Sequence, residues 1–201
     1  MLRAEIEEFH YITSLENLPS ILNVGILSHN KASQIAHSSV ACEDVQLLRA
    51  IKCVPGGLEL HDYVNLYFHA RNPMMYKDLR EYGIPAADLC VLRISGEILD
   101  LSDVVITDRN AAVTGVAFYA VEEGLRRLKK AEVYARSWTH SDQLEYRRRK
   151  AIRCAEVLIP HCLPSGHIFG AHVSCAQNVP TVKALCSRLD VVISPDLFFL
   201  E

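Results

Sequence analysis

Read for hydrophobic period alone, the chain switches repeatedly between strand-like and helix-like stretches. Phe9–Thr13 (FHYIT) is aromatic and β-branched, which predicts a strand. From Ser14 the period lengthens: Leu18, Ile21 and Leu22 share a helical face, Ser14 can cap it, and Gly25 follows. A helix over Ser14–Val24 is expected. Residues 28–42 are rich in Ser, His, Asn and Ala and read as a loop or weak helix. Val45, Leu48 and Lys52 predict a helix over Glu43–Lys52, broken by Pro55-Gly56-Gly57. Tyr63–His69 reads as a central strand, and Asn72-Pro73 opens a helix running to about Glu81. Further strands are expected at Leu89–Ile94, Val104–Thr107, Glu156–Ile159 and Ile168–Val173, with one or two more in Val191–Leu200. Helices are expected over Phe118–Val133, Ser141–Cys154 and Thr181–Leu189. No repeat, linker or low-complexity tract interrupts this order, so one α+β domain over residues 1–201 is predicted.

Composition adds exclusions. Of 201 residues, 50% are hydrophobic and 22% charged, which rules out a disordered chain, a coiled coil or a collagen-like repeat. No apolar run reaches the ~18–20 residues that span a bilayer, so no membrane partner is expected. The opening MLRAEIEEFHYI carries three Glu and predicts no secretory leader. Seven cysteines, an odd number without a CxxC, point to reduced thiols in a cytoplasm. Net charge is −3, but it is unevenly placed. Residues 1–48 carry −4, whereas residues 125–153 hold ten bases against three acids, a net of +7. The basic stretch is either a pair of solvated helix faces or a surface for a polyanion.

Five groups of residues could carry chemistry. His161, Cys162, His167, His172 and Cys175 are zinc-type ligands, but no close pair anchors them and the apolar residues between them read as strand packing, so no metal is expected. No local signature marks a Cys nucleophile with a His base. Val54-Pro55-Gly56-Gly57 lacks the Lys and Ser/Thr of a phosphate loop. The stretch NLYFHARNPMMYKD (65–78) sets Asn65, Tyr67, His69, Arg71 and Asn72 around a strand that turns into a Pro-started helix. That is either a ligand site at a helix N-terminus or a well-capped turn. Glu156, where a basic helix meets an apolar strand, is either a solvated strand-end residue or an acid pointed into a cleft.

Taken together these segments resemble the DarT family, toxins that attach ADP-ribose from NAD to a base in DNA. FHYITSLENLPSILNVGIL (9–27) is similar to the family's NAD-binding strand and helix, and GGLELHDYVNLYFHARNPMMY (56–76) to its G-G-x-L-x-D-Y-V stretch. VVITDRNA (104–111) matches an internal T-D-R segment, and RKAIRCAEVLIP (149–160) the segment with the catalytic Glu. The resemblance implies an ADP-ribosyltransferase fold, with two small facing sheets and NAD in the cleft between them. Carried over by position, Glu156 and Arg49 are the catalytic pair. Tyr11, Ile12, Thr13, Ser20 and Ser28 fall on NAD-contact positions, and Tyr67 joins them. The family has His directly before Ile-Thr; here Tyr11 stands there and His10 precedes it, so both rings are candidates.

The residue types suit that chemistry. A carboxylate can stabilise the oxocarbenium-like ribose left when nicotinamide departs. A guanidinium matches phosphate oxygens and is a poor base. Glu156 or His69 could take the proton of the acceptor nitrogen. Base edges are hidden in a duplex, so single-stranded DNA is the expected partner, with His69, Arg71, Asn72, Met74, Arg109, Arg147 and Arg148 as nucleic-acid contacts. The acceptor is guanine or thymine, and the form of the 65–72 strand leans toward guanine. The resemblance also implies a bacterial cytoplasmic toxin with a macrodomain antitoxin. Transfer to RNA or protein, and a non-catalytic nucleic-acid binding module, are the alternatives.

Overall fold

The structure is a computed structural model that describes residues 1–200. Its elements, in chain order, are β1 (Glu8–Ser14), α1 (Leu18–Val24), β2 (Ile26–Leu27), α2 (His29–Ala32), α3 (Glu43–Ala50), β3 (Tyr63–Tyr67), α4 (Pro73–Arg80), β4 (Leu89–Ser95) and β5 (Val105–Thr107). They continue with β6 (Phe118–Ala120), α5 (Val121–Arg127), α6 (Lys130–Val133), α7 (Gln143–Ile152), β7 (Glu156–Pro160), β8 (Cys162–Leu163), β9 (Ile168–Val173), α8 (Asn178–Leu185) and β10 (Asp190–Ile193). Eight strands join in the order β10-β9-β4-β1-β3-β7-β5-β6, and β2 pairs with β8 in a small ribbon.

The large sheet is nearly two sheets. β1 runs antiparallel to β4 along its whole length, from Glu8↔Ser95 to Ser14↔Leu89. Its other edge meets β3 at one pair only, His10↔Tyr67. Beyond that pair the half-sheets β10-β9-β4-β1 and β3-β7-β5-β6 part, and the backbone of Tyr11–Thr13 loses β3 as a ladder partner. Unpaired strand edges retain donors and acceptors that something must satisfy.

Apolar side chains lock both halves. Phe9 of β1 meets Phe68 edge-on at 5.2 Å, and both are buried with Leu18, Leu66, Leu92, Ile94 and Val157 in the main cluster. Each such side chain contributes about 1.5–3 kcal/mol on burial. A second cluster, with Ile12, Tyr67, Met75, Val91 and Phe198, closes the side on which α4 packs. Asn72 starts α4 by accepting the N–H groups of Met74 (2.9 Å) and Met75 (3.1 Å), with Pro73 in the first turn.

The short strands β2 and β8 were not expected from the sequence, and the helix expected over Ser14–Val24 begins with a 3-10 turn, Leu15–Asn17; three further departures are larger. Phe118–Val133 is not one helix: Phe118–Ala120 pairs with β5, and α5 and α6 follow as separate short helices. Gly124 explains the placement, because a Cβ there would lie 2.6 Å from Ile106, so α5 sits directly on β5. The helix expected over Thr181–Leu189 begins earlier and ends earlier, as Asn178–Leu185. The tail holds one strand, Asp190–Ile193, and then a 3-10 turn, Pro195–Phe198, rather than a second strand.

Candidate active site

Where the half-sheets part, a cleft opens. Tyr11, Ile12 and Thr13 of β1 form one wall, and Tyr63, Val64, Asn65 and Tyr67 of β3 the other. The 37–42 segment with α3 closes over it, and Asn110 and Met74 stand at its end. Glu156 and Arg49 meet at this junction. Arg49 Nη1 donates to Glu156 Oε2 at 3.0 Å; Arg49 is 3% exposed and Glu156 fully buried. A solvated strand-end carboxylate is therefore excluded, and the group is no dispensable ornament of the packing: removing it would strand a buried guanidinium.

Two backbone devices hold Glu156. Its N–H donates to Thr107 Oγ1 at 3.1 Å, and the Ala111 N–H reaches its Oε1 at 3.4 Å. The register pairs it with Tyr67 across β3 and β7. Burial raises the Glu156 carboxyl above its ordinary value, and Arg49 and the Ala111 N–H only partly offset this. Burial and the nearby Glu156 charge also raise the Tyr67 phenol well above its usual value, so it stays protonated. Four buried polar atoms in or beside the cleft lack a protein partner: Arg49 Nη2, Ser28 Oγ, His61 Nε2 and Asp78 Oδ1. Burial pushes the Asp78 carboxyl, which lines the cleft, up to about 7. Unpaired buried donors and acceptors cost about 1–3 kcal/mol each, which a polar ligand would recover.

Through Met74 and Asn110 the cleft continues into a larger outer groove. Arg71, Lys77, Arg136, Arg147 and Lys150 line it with Tyr76, Trp138, Tyr146 and Phe199, and Glu81 is its one acid. Arg147 and Lys150 have no carboxylate partner among the described residues.

The sequence candidates divide between these places and others. Arg49, Tyr11, Ile12, Thr13 and Tyr67 line the cleft, and Glu156, fully buried, meets it through Arg49; Arg71, Met74 and Arg147 line the groove. Ser28 is fully buried between the cleft residues Leu27 and His29. His10 does not line the cleft. Its Nδ1 accepts the Ala70 N–H at 2.8 Å and its Nε2 faces Glu8 at 2.7 Å, which turns the ring into a neighbouring cavity. Ser20 lies half-buried on α1, away from the cleft lining. Asn72 is fully buried as the α4 cap and cannot meet a ligand. His69 lines the cavity of His10, its Nδ1 taken by the Arg71 N–H at 3.2 Å and Arg153 at 3.3 Å. Burial beside these cations lowers His69 to about 3, so it is no proton acceptor for the cleft. Arg109 pairs with Asp108 at 2.7 Å, and Arg148 with Glu132 and Glu145, each at 2.9 Å; neither lines the groove.

Sequence reasoning missed Thr107, Asn110 and Asp78. The first two stand inside the quoted VVITDRNA stretch, where charge drew the choice to Arg109. It also missed Glu8 and its meeting with His10 and His172, the one group of potential metal-ligating side chains among the described residues. Because His10 Nδ1 accepts a backbone N–H, its Nε2 carries the proton that goes to Glu8, and no lone pair is left for an ion.

Solved structures of similar architecture fix first a class. The chain superposes on Thermus sp. 2.9 DarT in complex with ADP-ribosylated ssDNA over 96% of its length and 97% of that chain, with a TM-score of 0.82 and 26% identity. It superposes on the same protein in complex with NAD+ over 96% and 98%, with a TM-score of 0.77 and 26% identity. The fold, with its buried Glu–Arg pair between parted half-sheets, is that of an ADP-ribosyltransferase. The family model described as "ssDNA thymidine ADP-ribosyltransferase, DarT" matches residues 10–199, and the chain belongs to that family. A "DNA ADP-ribosyl transferase-DNA ADP-ribosyl glycohydrolase fusion protein" of Thermosipho africanus is 30% identical over 200 residues, 96% of this chain and 50% of its own length. The chain thus spans about half of that relative.

Proposed function

We propose that the chain transfers ADP-ribose from NAD+ to a base of single-stranded DNA and releases nicotinamide. The observation that carries this reading is the Glu156–Arg49 pair, buried at 3.0 Å where a polar cleft opens into a basic, aromatic groove. The unpartnered Arg49 Nη2 and Ser28 Oγ suit the phosphates and ribose of a dinucleotide. Glu156 stabilises positive charge on the ribose as the bond to nicotinamide breaks, and the base nitrogen bonds to the freed ribose carbon. Burial makes the Glu156 carboxylate a stronger base than an exposed one, so it takes the proton that the base nitrogen releases. With His69 capped by Arg71 and Arg153, Glu156 is the acceptor on this side.

Thymine is the acceptor we propose, because the family description names thymidine. Guanine, favoured by the strand sequence, is the rival. The test is incubation with NAD+ and matched oligonucleotides carrying one thymine or one guanine, single-stranded or annealed, followed by mass measurement. One ADP-ribose on the single-stranded thymine oligonucleotide, with the duplex protected, is the expected result. No product with any strand, or equal modification of the duplex, contradicts the reading. By the same reasoning, a cell holding this enzyme needs a macrodomain-type hydrolase to remove the adduct; the relative in which a glycohydrolase is fused supports such a toxin–antitoxin pairing.

A further inference from the structure

We propose that Tyr76, Trp138 and Phe199 form a stacking subsite for the nucleobase next to the target base. The proposal rests on the DNA-transferase reading. The three rings meet edge-to-face in a closed triangle: Tyr76–Trp138 at 6.0 Å and 84°, Tyr76–Phe199 at 5.3 Å and 81°, Trp138–Phe199 at 5.9 Å and 78°. Trp138 is 8% exposed and supports the others from behind, while Tyr76 is 42% exposed and offers a ring to the groove.

The triangle is held in place from outside. The Arg71 guanidinium lies 4.4 Å from the Phe199 ring centre. Arg71 also donates to the Asp196 carbonyl at 3.0 Å and to the Arg136 carbonyl, while Arg136 pairs with Asp196 at 2.7 Å. Phe199 sits at φ +55°, a left-handed conformation that a bulky residue keeps only when its surroundings impose it. The rings thus require little ordering on binding, and an aromatic face accepts any base.

Charge and position select the occupant. The cations around the rings, Lys77, Arg147 and Lys150 among them, suit a phosphate backbone, and one acid, Glu81, opposes them. Met74 lines both the cleft and the groove, and Tyr76, Trp138 and Phe199 line that same groove. The subsite therefore lies in the space that continues directly from the cleft, beside the target nucleotide rather than further along the strand.

The test pairs protein and DNA changes, with oligonucleotide affinity read by fluorescence anisotropy as well as by transfer. Tyr76→Ala is expected to weaken binding about tenfold, and Tyr76→Phe to retain it. Removing the base of the neighbouring nucleotide on one side of the target should cost wild type a similar factor. Tyr76→Ala should lose nothing more on that abasic strand, because both changes delete one interaction. Losses that multiply, or an intact oligonucleotide bound equally by Tyr76→Ala and wild type, overturn the subsite. Anisotropy decides this even if no strand is modified, in which case the transferase reading fails separately.

Discussion

Two glutamates at the starts of strands, Glu156 on β7 and Glu8 on β1, live in opposite circumstances. Glu8 accepts from Arg93 at 2.6 Å and lies 2.7 Å from His10 and 2.9 Å from His172. Burial would raise its carboxyl, but those hydrogen bonds prevail and hold it well below the ordinary range. Glu156 has one arginine at 3.0 Å and a backbone N–H at 3.4 Å, and burial wins. Glu8 is fully served and fixes β1 to β4 and β9; Glu156 is under-served, beside a cleft with unpartnered polar atoms. A carboxylate kept short of partners in a dry site retains its capacity for a reacting group.

The largest way to break this contrast is Glu156→Gln, which keeps volume and an Arg49 partner but removes the charge. Transfer per folded molecule should fall ~100–1,000-fold, about 3–4 kcal/mol of lost transition-state stabilisation. Intact nicotinamide release in the variant would show that the charge is not used. Arg49→Lys retains charge without the planar fork, and activity should drop at least about tenfold. Near-full activity with lysine would reduce Arg49 to a diffuse charge.

Glu8→Gln should act on stability, not chemistry. Losing its charge-assisted bonds should cost about 2–4 kcal/mol, or roughly 5–15 °C in Tm, with transfer per folded molecule retained. Since the folded Glu8 carboxyl lies below its ordinary 4.5, its contribution is present above that pH and lost as pH falls; acid melting curves should show this in wild type and not in the variant. The smallest effect concerns Asp78. Folded Asp78 holds a proton up to about 7, whereas the unfolded group releases it near 3.8, so stability falls as pH rises between them. Asp78→Asn should remove that slope and add on the order of 1–2 kcal/mol above pH 7, measured by urea unfolding at several pH values. An unchanged slope would place the titration elsewhere.

Much of the fold was legible where local rules and packing agree. Phe9–Thr13 and Glu156–Ile159 lie within β1 and β7, and Asn72-Pro73 opens α4 as its capping chemistry predicts. Phe118–Ala120 was misread because its pairing with β5 is non-local, and the break between α5 and α6 carries no Pro or Gly. Within the site, the family resemblance carried over by position pointed to Glu156, Arg49 and the β1 residues, but not to the direction each side chain takes. His10 and Tyr11 are adjacent in sequence, and strand alternation sends them to different cavities. Trp138 and Phe199 come from segments 61 residues apart and meet only through the fold.

The central contrast is tested most directly by following the intact mass of one single-stranded thymine oligonucleotide with NAD+ at equal concentrations of folded wild type, Glu156→Gln and Glu8→Gln. The account predicts ADP-ribosylated product from wild type and Glu8→Gln at similar rates, and from Glu156→Gln at least ~100-fold more slowly. Similar rates for wild type and Glu156→Gln, or loss of transfer in a folded Glu8→Gln, would contradict it.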